Sequence, residues 1–253
     1  MDRKTKVAII GTVTVVCVIL IALGVSIVKT LTPSKETMPL SEYYPVEDSE
    51  VLIILQNKVY EKKGMLIDGE IYLDYETVAG KFNHRFYWDS NENILTYTTP
   101  DQILQAQADK KGYTITKSVV KTNASEEYPI VKVFADRVYI ALDFVQKYSD
   151  LNFKFYENPN RVVINYIWQD YLYTEVKKDT QLRTEASIKK PILVQLKQGT
   201  GLMYVDVDET PKKGFAKVMT EDGIIGYVKN SFVKKSFYQS MTSTYQAPEY
   251  TAQ

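Results

Sequence analysis

The sequence predicts an α+β protein with an N-terminal transmembrane helix, a two-repeat antiparallel sheet-plus-helix stalk domain and a small C-terminal β-barrel. Three observations predict this arrangement: an uncharged apolar run near the N-terminus, an internal repeat in the middle, and a last third of short apolar segments punctuated by glycine and proline. Of the 253 residues, 45% are hydrophobic and 25% are charged, which is typical of a chain that buries a core.

The apolar run is Val7–Val28, which contains no charged residue. A helix of this length can cross the roughly 30 Å hydrocarbon core of a bilayer. Basic residues are denser in the tail of residues 1–6 than directly after the run, so the positive-inside rule predicts a cytoplasmic N-terminus. We therefore expect a single-pass protein of the cell membrane with extracellular C-terminal domains. Residues 29–50 mix Pro, Ser and Glu without an apolar period and are predicted to be a linker.

The internal repeat aligns Ile71–Tyr97 with Val138–Ile164 without a gap. The alignment pairs Tyr72 with Tyr139, Val78 with Val145, Phe86 with Phe153, Trp88 with Phe155, Asn91 with Asn158, and Asn93 with Asn160. Each copy reads as a hairpin, a short helix and a second hairpin, with helical stretches at 74–82 and 142–148. The two copies are predicted to form one domain spanning residues 51–168.

Turn chemistry explains the polar residues of the repeat. Asp68-Gly69 lies between apolar runs, which is the strongest short-range hairpin signal, and Asn residues occupy the tips of the later hairpins because they tolerate left-handed φ. The aromatic residues Phe86, Trp88, Phe153 and Phe155 recur at period two and are expected to pack on one sheet face. The alternative is that these rings stack on a ligand, but the repeat favours a duplicated scaffold over a duplicated site.

The C-terminal third, residues 170–236, is predicted to be a small barrel because its short apolar strands carry no helical period. Asp222-Gly223 predicts a hairpin within it. Residues 237–253 are polar and are predicted to be a linker that leads to a missing domain.

The repeat resembles the copper amine oxidase N-terminal-like domain, a stalk module of Gram-positive envelope proteins. "LKQGTGLMYV" and "GFAKVMTEDGIIGYVKNSFV" are similar to the bacterial SH3 (SH3b) domain, although Phe215 and Tyr227 stand where that family usually has Trp. The order of span, stalk and SH3b-like module resembles the N-terminal half of membrane-anchored glycoside hydrolase family 18 proteins, whose catalytic barrel follows a linker. The resemblance implies that this barrel is absent from the chain.

No catalytic or metal site is predicted. Thirty-one basic and thirty-one acidic residues balance, so bulk charge does not favour nucleic acid, and a single histidine, His84, cannot build a copper site. The acidic string at 204–210 lacks the first Asp of the family 18 motif, so we expect no enzyme activity and no cofactor.

The predicted function is that of a non-catalytic, membrane-anchored envelope protein that binds the wall or acts as a stalk. Its partners would be the membrane and peptidoglycan or another wall polymer. The candidate ligand-binding residues are Tyr204, Asp206, Phe215 and Tyr227, since aromatic rings line the grooves of such barrels. The alternatives are the truncated N-terminal region of a family 18 hydrolase acting on chitin-like or peptidoglycan glycans, and a purely structural spacer.

Overall fold

The computed structural model describes Ile19, residues 31–205 and residues 214–246, and these ranges are mostly β-strand. The predicted α+β class is therefore wrong. The two helices of the repeat are present but short: Tyr75–Thr77, continued by a π-helical turn over Val78–Phe82, and Leu142–Tyr148. Strands outweigh them because residues 99–125, for which the sequence predicts no element, add three strands, and the C-terminal module adds seven more.

The predicted membrane topology is also corrected. In the ranges that the structure describes, no helix is both long and apolar enough to span a bilayer. The run Val7–Val28, on which the prediction of a transmembrane helix and a cell-membrane location rested, lies outside the described residues apart from Ile19.

The N-terminal module contains two sheets. Sheet I comprises, in spatial order, β11 (Asn152–Tyr156), β12 (Arg161–Asn165), β1 (Glu50–Leu55), β2 (Lys58–Ile67), β3 (Glu70–Asp74), β10 (Arg137–Ala141) and β9 (Val131–Phe134). Sheet II is a meander of β4 (Phe86–Asp89), β5 (Ile94–Thr98), β6 (Gln102–Gln107), β7 (Gly112–Lys117) and β8 (Val120–Ser125).

The two repeat copies meet in sheet I, between its fifth and sixth strands, around a pseudo-two-fold axis. Strands β3 and β10 pair antiparallel, with Leu73 opposite Ile140 and Tyr72 opposite Ala141. Leu73 and Ile140 are equivalent positions of the repeat, so the axis passes between them. The repeat is therefore built into the sheet as an internal symmetric pair.

The second hairpins of the two copies keep the same register but enter different sheets. Phe86 lies opposite Tyr97 in sheet II, and the equivalent Phe153 lies opposite Ile164 in sheet I. Strand β12 also pairs in parallel with β1, whereas the corresponding strand of the first copy, β5, pairs antiparallel with β6. Asn93 and Asn158 adopt φ of +54° and +55° at the hairpin tips, which confirms the predicted left-handed turns.

The main core lies between sheets I and II and includes the two helices. Phe86, Phe144 and Tyr72 are among its fully buried side chains. Helix Tyr75–Thr77 is capped by Asp74, whose carboxylate accepts hydrogen bonds from the backbone N–H and the hydroxyl of Thr77. The equivalent cap position of the second copy, Ala141, offers no side-chain acceptor.

The C-terminal module is a third sheet with a core of its own. Sheet III comprises, in spatial order, β15 (Ile192–Leu196), β14 (Thr180–Arg183), β18 (Ile225–Lys229), β17 (Phe215–Met219), β16 (Gly201–Tyr204), β13 (Asp170–Glu175) and β19 (Phe237–Ser240). Val176, Leu182, Leu202 and Val228 are fully buried in the core of this module.

Both predicted linkers are packed where the structure describes them. Thr37 bridges in parallel to Ile192 at the edge of β15, and the helix Leu40–Tyr43 follows directly. On the other side, residues 237–240 form β19, and Ser243 donates a hydrogen bond to Asp150 of the N-terminal module at 2.5 Å. The two ends of the described chain thus lie against the folded modules instead of running free.

Candidate functional site

The rings of the predicted aromatic groove in the C-terminal module differ in burial. Tyr204 is half-buried against the core of that module, and this burial raises the pKa of its phenol. Phe215 is buried, with 7% of its surface exposed, and Tyr227 is half-buried on β18 opposite Lys217. Asp206 lies outside the described residues.

The N-terminal segment packs on the core of the C-terminal module. Met38, Leu40 and Tyr43 pack against the same core as Tyr204. Burial, together with the nearby Tyr227 phenol, raises the pKa of Tyr43. Of the predicted ring positions, Tyr227 is therefore the one that lies near this segment.

An open cleft lies elsewhere, between the two modules, and has a volume of about 910 Å³. One wall is the face of β11 and β12 that carries Lys154, Tyr156 and Asn165, and the opposite wall comes from sheet III. Its floor is apolar and its rim carries amides; the floor includes Val163, Met203, Met219, Ile224 and Met241, and the rim includes Asn165, Gln195 and Gln239.

The charges around the cleft are paired. Lys154 Nζ lies 2.7 Å from Glu221 Oε1 across the module boundary. Lys197 Nζ lies 2.8 Å from Asp179 Oδ2 at the other lip, and these contacts raise the pKa of Lys197. Because each of these ions already has a counter-ion, the cleft favours an uncharged ligand.

Two groups beside the cleft are buried or half-buried. The Oδ1 atom of Asn165 is buried and has no hydrogen-bond partner among the described residues, which is unusual for a buried acceptor. Tyr173 lines the cleft with a half-buried ring, and burial raises the pKa of its phenol. Amide groups over a methionine-rich floor can hold a ligand that is part apolar and part hydrogen-bonding.

Hydrogen bonds at the hairpin turn Asp222-Gly223 hold the two walls of the cleft together. Arg161, whose side chain is 4% exposed, donates from Nη2 to Asp222 Oδ2 at 2.7 Å and from Nε to Asp222 O at 2.6 Å. The hydroxyl of Tyr44 accepts a hydrogen bond from the backbone N–H of Ile225 at 2.8 Å. Leu52, Ile54 and Val163 of sheet I pack with Met203 and Met219 in the layer below.

A second set of contacts holds the connection between the modules. Gln56 adopts φ of +58° and is 5% exposed. Its Oε1 accepts from the backbone N–H groups of Tyr166 and Ile167, and its Nε2 donates to the hydroxyl of Tyr171 at 2.8 Å. The neighbouring Asn57 donates to the carbonyls of Tyr204 and Val205. The β1–β2 turn therefore contacts both the connection and the C-terminal module.

No group of three or more His, Cys, Asp or Glu side chains within residues 31–205 and 214–246 is arranged to hold a metal ion. His84 is exposed in the turn before β4.

Sequence reasoning missed the cleft although one signal pointed towards it. Strands β1 and β12 read as unbroken apolar runs, "VLIIL" and "VVI", and such runs are typical of strands buried on both faces. One face packs on the main core, so the other required a partner, which is the C-terminal module. The residues of the cleft come from distant parts of the chain and share no motif.

The family model described as copper amine oxidase N-terminal domain matches residues 54–164. These residues form a copper amine oxidase N-terminal-like module, which is consistent with a non-catalytic accessory domain. Neither a curated protein nor a solved structure matches the chain at a significant level. The matched range ends before the C-terminal module, so the resemblances to SH3b and to family 18 hydrolases stay predictions.

Proposed function

We propose that this chain is a non-catalytic binding module that holds an N-acetylated cell-wall polymer, such as peptidoglycan, in the cleft between its two modules. The observation that carries the proposal is an apolar, methionine-rich floor beneath a rim of amides, with the charged residues of the cleft already held in ion pairs. The accessory character of the matched module supports a role in binding instead of catalysis.

The chemistry of the cleft fits an acetamido group. Such a group presents a methyl and an amide side by side, so its methyl would rest on Met203 and Met219 while Gln195 and Gln239 hydrogen-bond its amide. Tyr173 would supply a ring at the same wall, and rings give contact area at low entropic cost. The paired charges at both lips would disfavour a strongly charged ligand.

The affinity for one repeat unit is expected to be weak. The cleft is open to solvent, and its described lining contains no unpaired ion to anchor a ligand. Binding must also offset the translational and side-chain freedom that the ligand and the cleft lose. Repeated units along an insoluble polymer raise the effective concentration, so retention on the polymer would exceed affinity for a monomer.

The test is co-sedimentation of the full chain with purified peptidoglycan, wild type against the double variant Gln195→Ala/Gln239→Ala. Both glutamines are exposed, so the fold should tolerate the change. The matched control is Gln198→Ala, because Gln198 is an exposed glutamine outside the cleft. We expect several-fold lower retention for the double variant and unchanged retention for the control.

Two outcomes would contradict the proposal. Equal retention of wild type and double variant would place the binding surface outside the cleft. If wild type is retained no better than an unrelated protein, the chain is a spacer and the binding proposal fails.

A further inference from the structure

The outer face of sheet II carries a straight row of uncharged polar side chains. Cross-strand pairing places Tyr87 opposite Thr96, Thr96 opposite Gln105, Gln105 opposite Thr114, and Thr114 opposite Asn123. Residues paired in this way lie on the same face, so the five side chains form one line across all five strands. We call this line the polar row.

The polar row is accessible. Tyr87 is 52% exposed, Gln105 and Asn123 are exposed, and the two threonines are half-exposed. The opposite face of the same strands packs into the main core through Leu95, Leu104 and Ile115. The alternation of buried and exposed residues fixes the row on the solvent side.

The composition of this face is unusual for this chain. A quarter of the chain is charged, and strand β2 of sheet I carries three successive charges, Glu61, Lys62 and Lys63. On the outer face of sheet II the charges lie at the margin, at Asp89 and Lys121. Asp89 already accepts hydrogen bonds from the backbone of its own turn.

The geometry of the row suits an extended ligand. Adjacent strands lie about 4.8 Å apart, so four gaps between five strands make a row about 19 Å long. The row presents a hydroxyl or an amide at every strand, with the ring of Tyr87 at one end. The exposed side chain of Ile103 stands in the neighbouring row, opposite Thr116.

We propose that the polar row is a second binding surface, for a neutral, extended polysaccharide laid across the strands. A repeating line of hydroxyl and amide groups complements a polymer of repeating hydroxyls, and Tyr87 and Ile103 provide apolar contact for the faces of sugar rings. An anionic polymer or lipid surface would need a cluster of cations, and a protein partner would need a larger apolar centre than Ile103 offers. The row shares no residue with the cleft, so this inference goes beyond the proposed function.

The experiment is a calorimetric titration of the full chain with cellohexaose, a neutral hexasaccharide that has no acetamido group. We expect measurable binding by wild type and about fivefold weaker binding by Gln105→Ala, which removes one hydrogen-bonding side chain. Tyr87→Ala should weaken binding at least as much, because it removes the only ring of the row. Thr114→Val nearly preserves shape while removing a hydroxyl, so it tests the row without disturbing the fold.

The controls separate this site from the cleft and from general surface effects. Tyr238→Ala removes a ring that is 66% exposed on β19, far along the chain from sheet II, and should bind like wild type. Gln195→Ala/Gln239→Ala alters the cleft and should also bind like wild type. The proposal fails if wild type does not bind cellohexaose, if the row variants bind as well as wild type, or if heparin binds as tightly as cellohexaose.

Discussion

Single residues decide how closely the two modules approach, and Gly223 shows this most directly. Its φ is +79°, a conformation that glycine adopts without steric cost. A Cβ at this position would lie 2.6 Å from Ile54 Cδ1 and 2.7 Å from Val163 Cγ2, which belong to sheet I. Gly223, which the sequence predicts in a hairpin turn, therefore has a second role. Because it has no side chain, the turn can pack directly against the neighbouring module.

We expect Gly223→Ala to destabilise the protein by about 2–4 kcal/mol, the combined cost of a left-handed alanine and of overpacking. The matched control is Gly199→Ala, because Gly199 has φ of +84° and nothing within 4 Å of its added Cβ. The control should lose only about 1–2 kcal/mol, from backbone strain alone. Urea unfolding of the full chain measures both values, and equal losses would show that the close approach to Ile54 and Val163 carries no energy.

At the scale of elements, the second hairpins of the two repeat copies have the same strand register but pack in different surroundings. Phe86 and Phe153 are equivalent in sequence and in hairpin register, but Phe86 is 1% exposed and Phe153 is half-buried. Phe86 lies against Tyr97 and Phe144, with ring centroids 4.8 Å and 6.5 Å away. The hairpin β4–β5 belongs to sheet II and points Phe86 into the main core, whereas the hairpin β11–β12 lies at the edge of sheet I, so the same residue type has two environments.

We expect Phe86→Ala to cost about 3–5 kcal/mol, as for a fully buried aromatic side chain. Phe153→Ala should cost less than half as much, because part of its ring is already in water. Equilibrium denaturation of the two variants tests this difference. Equal losses would mean that the two copies have equivalent packing and that the observed asymmetry of the sheets has no energetic consequence.

At the scale of the whole molecule, two ion pairs between described residues cross the module boundary at different depths. Arg161 and Asp222 have side-chain exposures of 4% and 37%, whereas Lys154 and Glu221 are 62% and 83% exposed. A guanidinium removed from water depends on its carboxylate partner, while an exposed pair is screened by solvent. We therefore expect the Arg161–Asp222 pair to stabilise the contact between the modules. The Lys154–Glu221 pair should contribute little to the free energy of unfolding.

We expect Asp222→Asn to destabilise the full chain by about 1.5–3 kcal/mol, because it removes the charge that faces a buried arginine. Lys154→Met, which breaks the outer pair, should leave the unfolding midpoint nearly unchanged. Thermal unfolding followed by circular dichroism measures both. A larger effect of Lys154→Met than of Asp222→Asn would contradict the assignment of Arg161–Asp222 as the main polar contact between the modules.

The sequence by itself determined the features that depend on neighbouring residues. The repeat, its hairpin register and its left-handed turns follow from local periodicity and turn chemistry, and each is present at the predicted place. The match to an accessory domain follows from the same residues, 54–164. The tertiary structure alone decided the fold class, the packing of Met38, Leu40 and Tyr43 on the core of the C-terminal module, and the positions of the cleft and the polar row. These features join residues that are far apart along the chain, and their positions depend on which sheet each hairpin enters, so no local pattern specifies them.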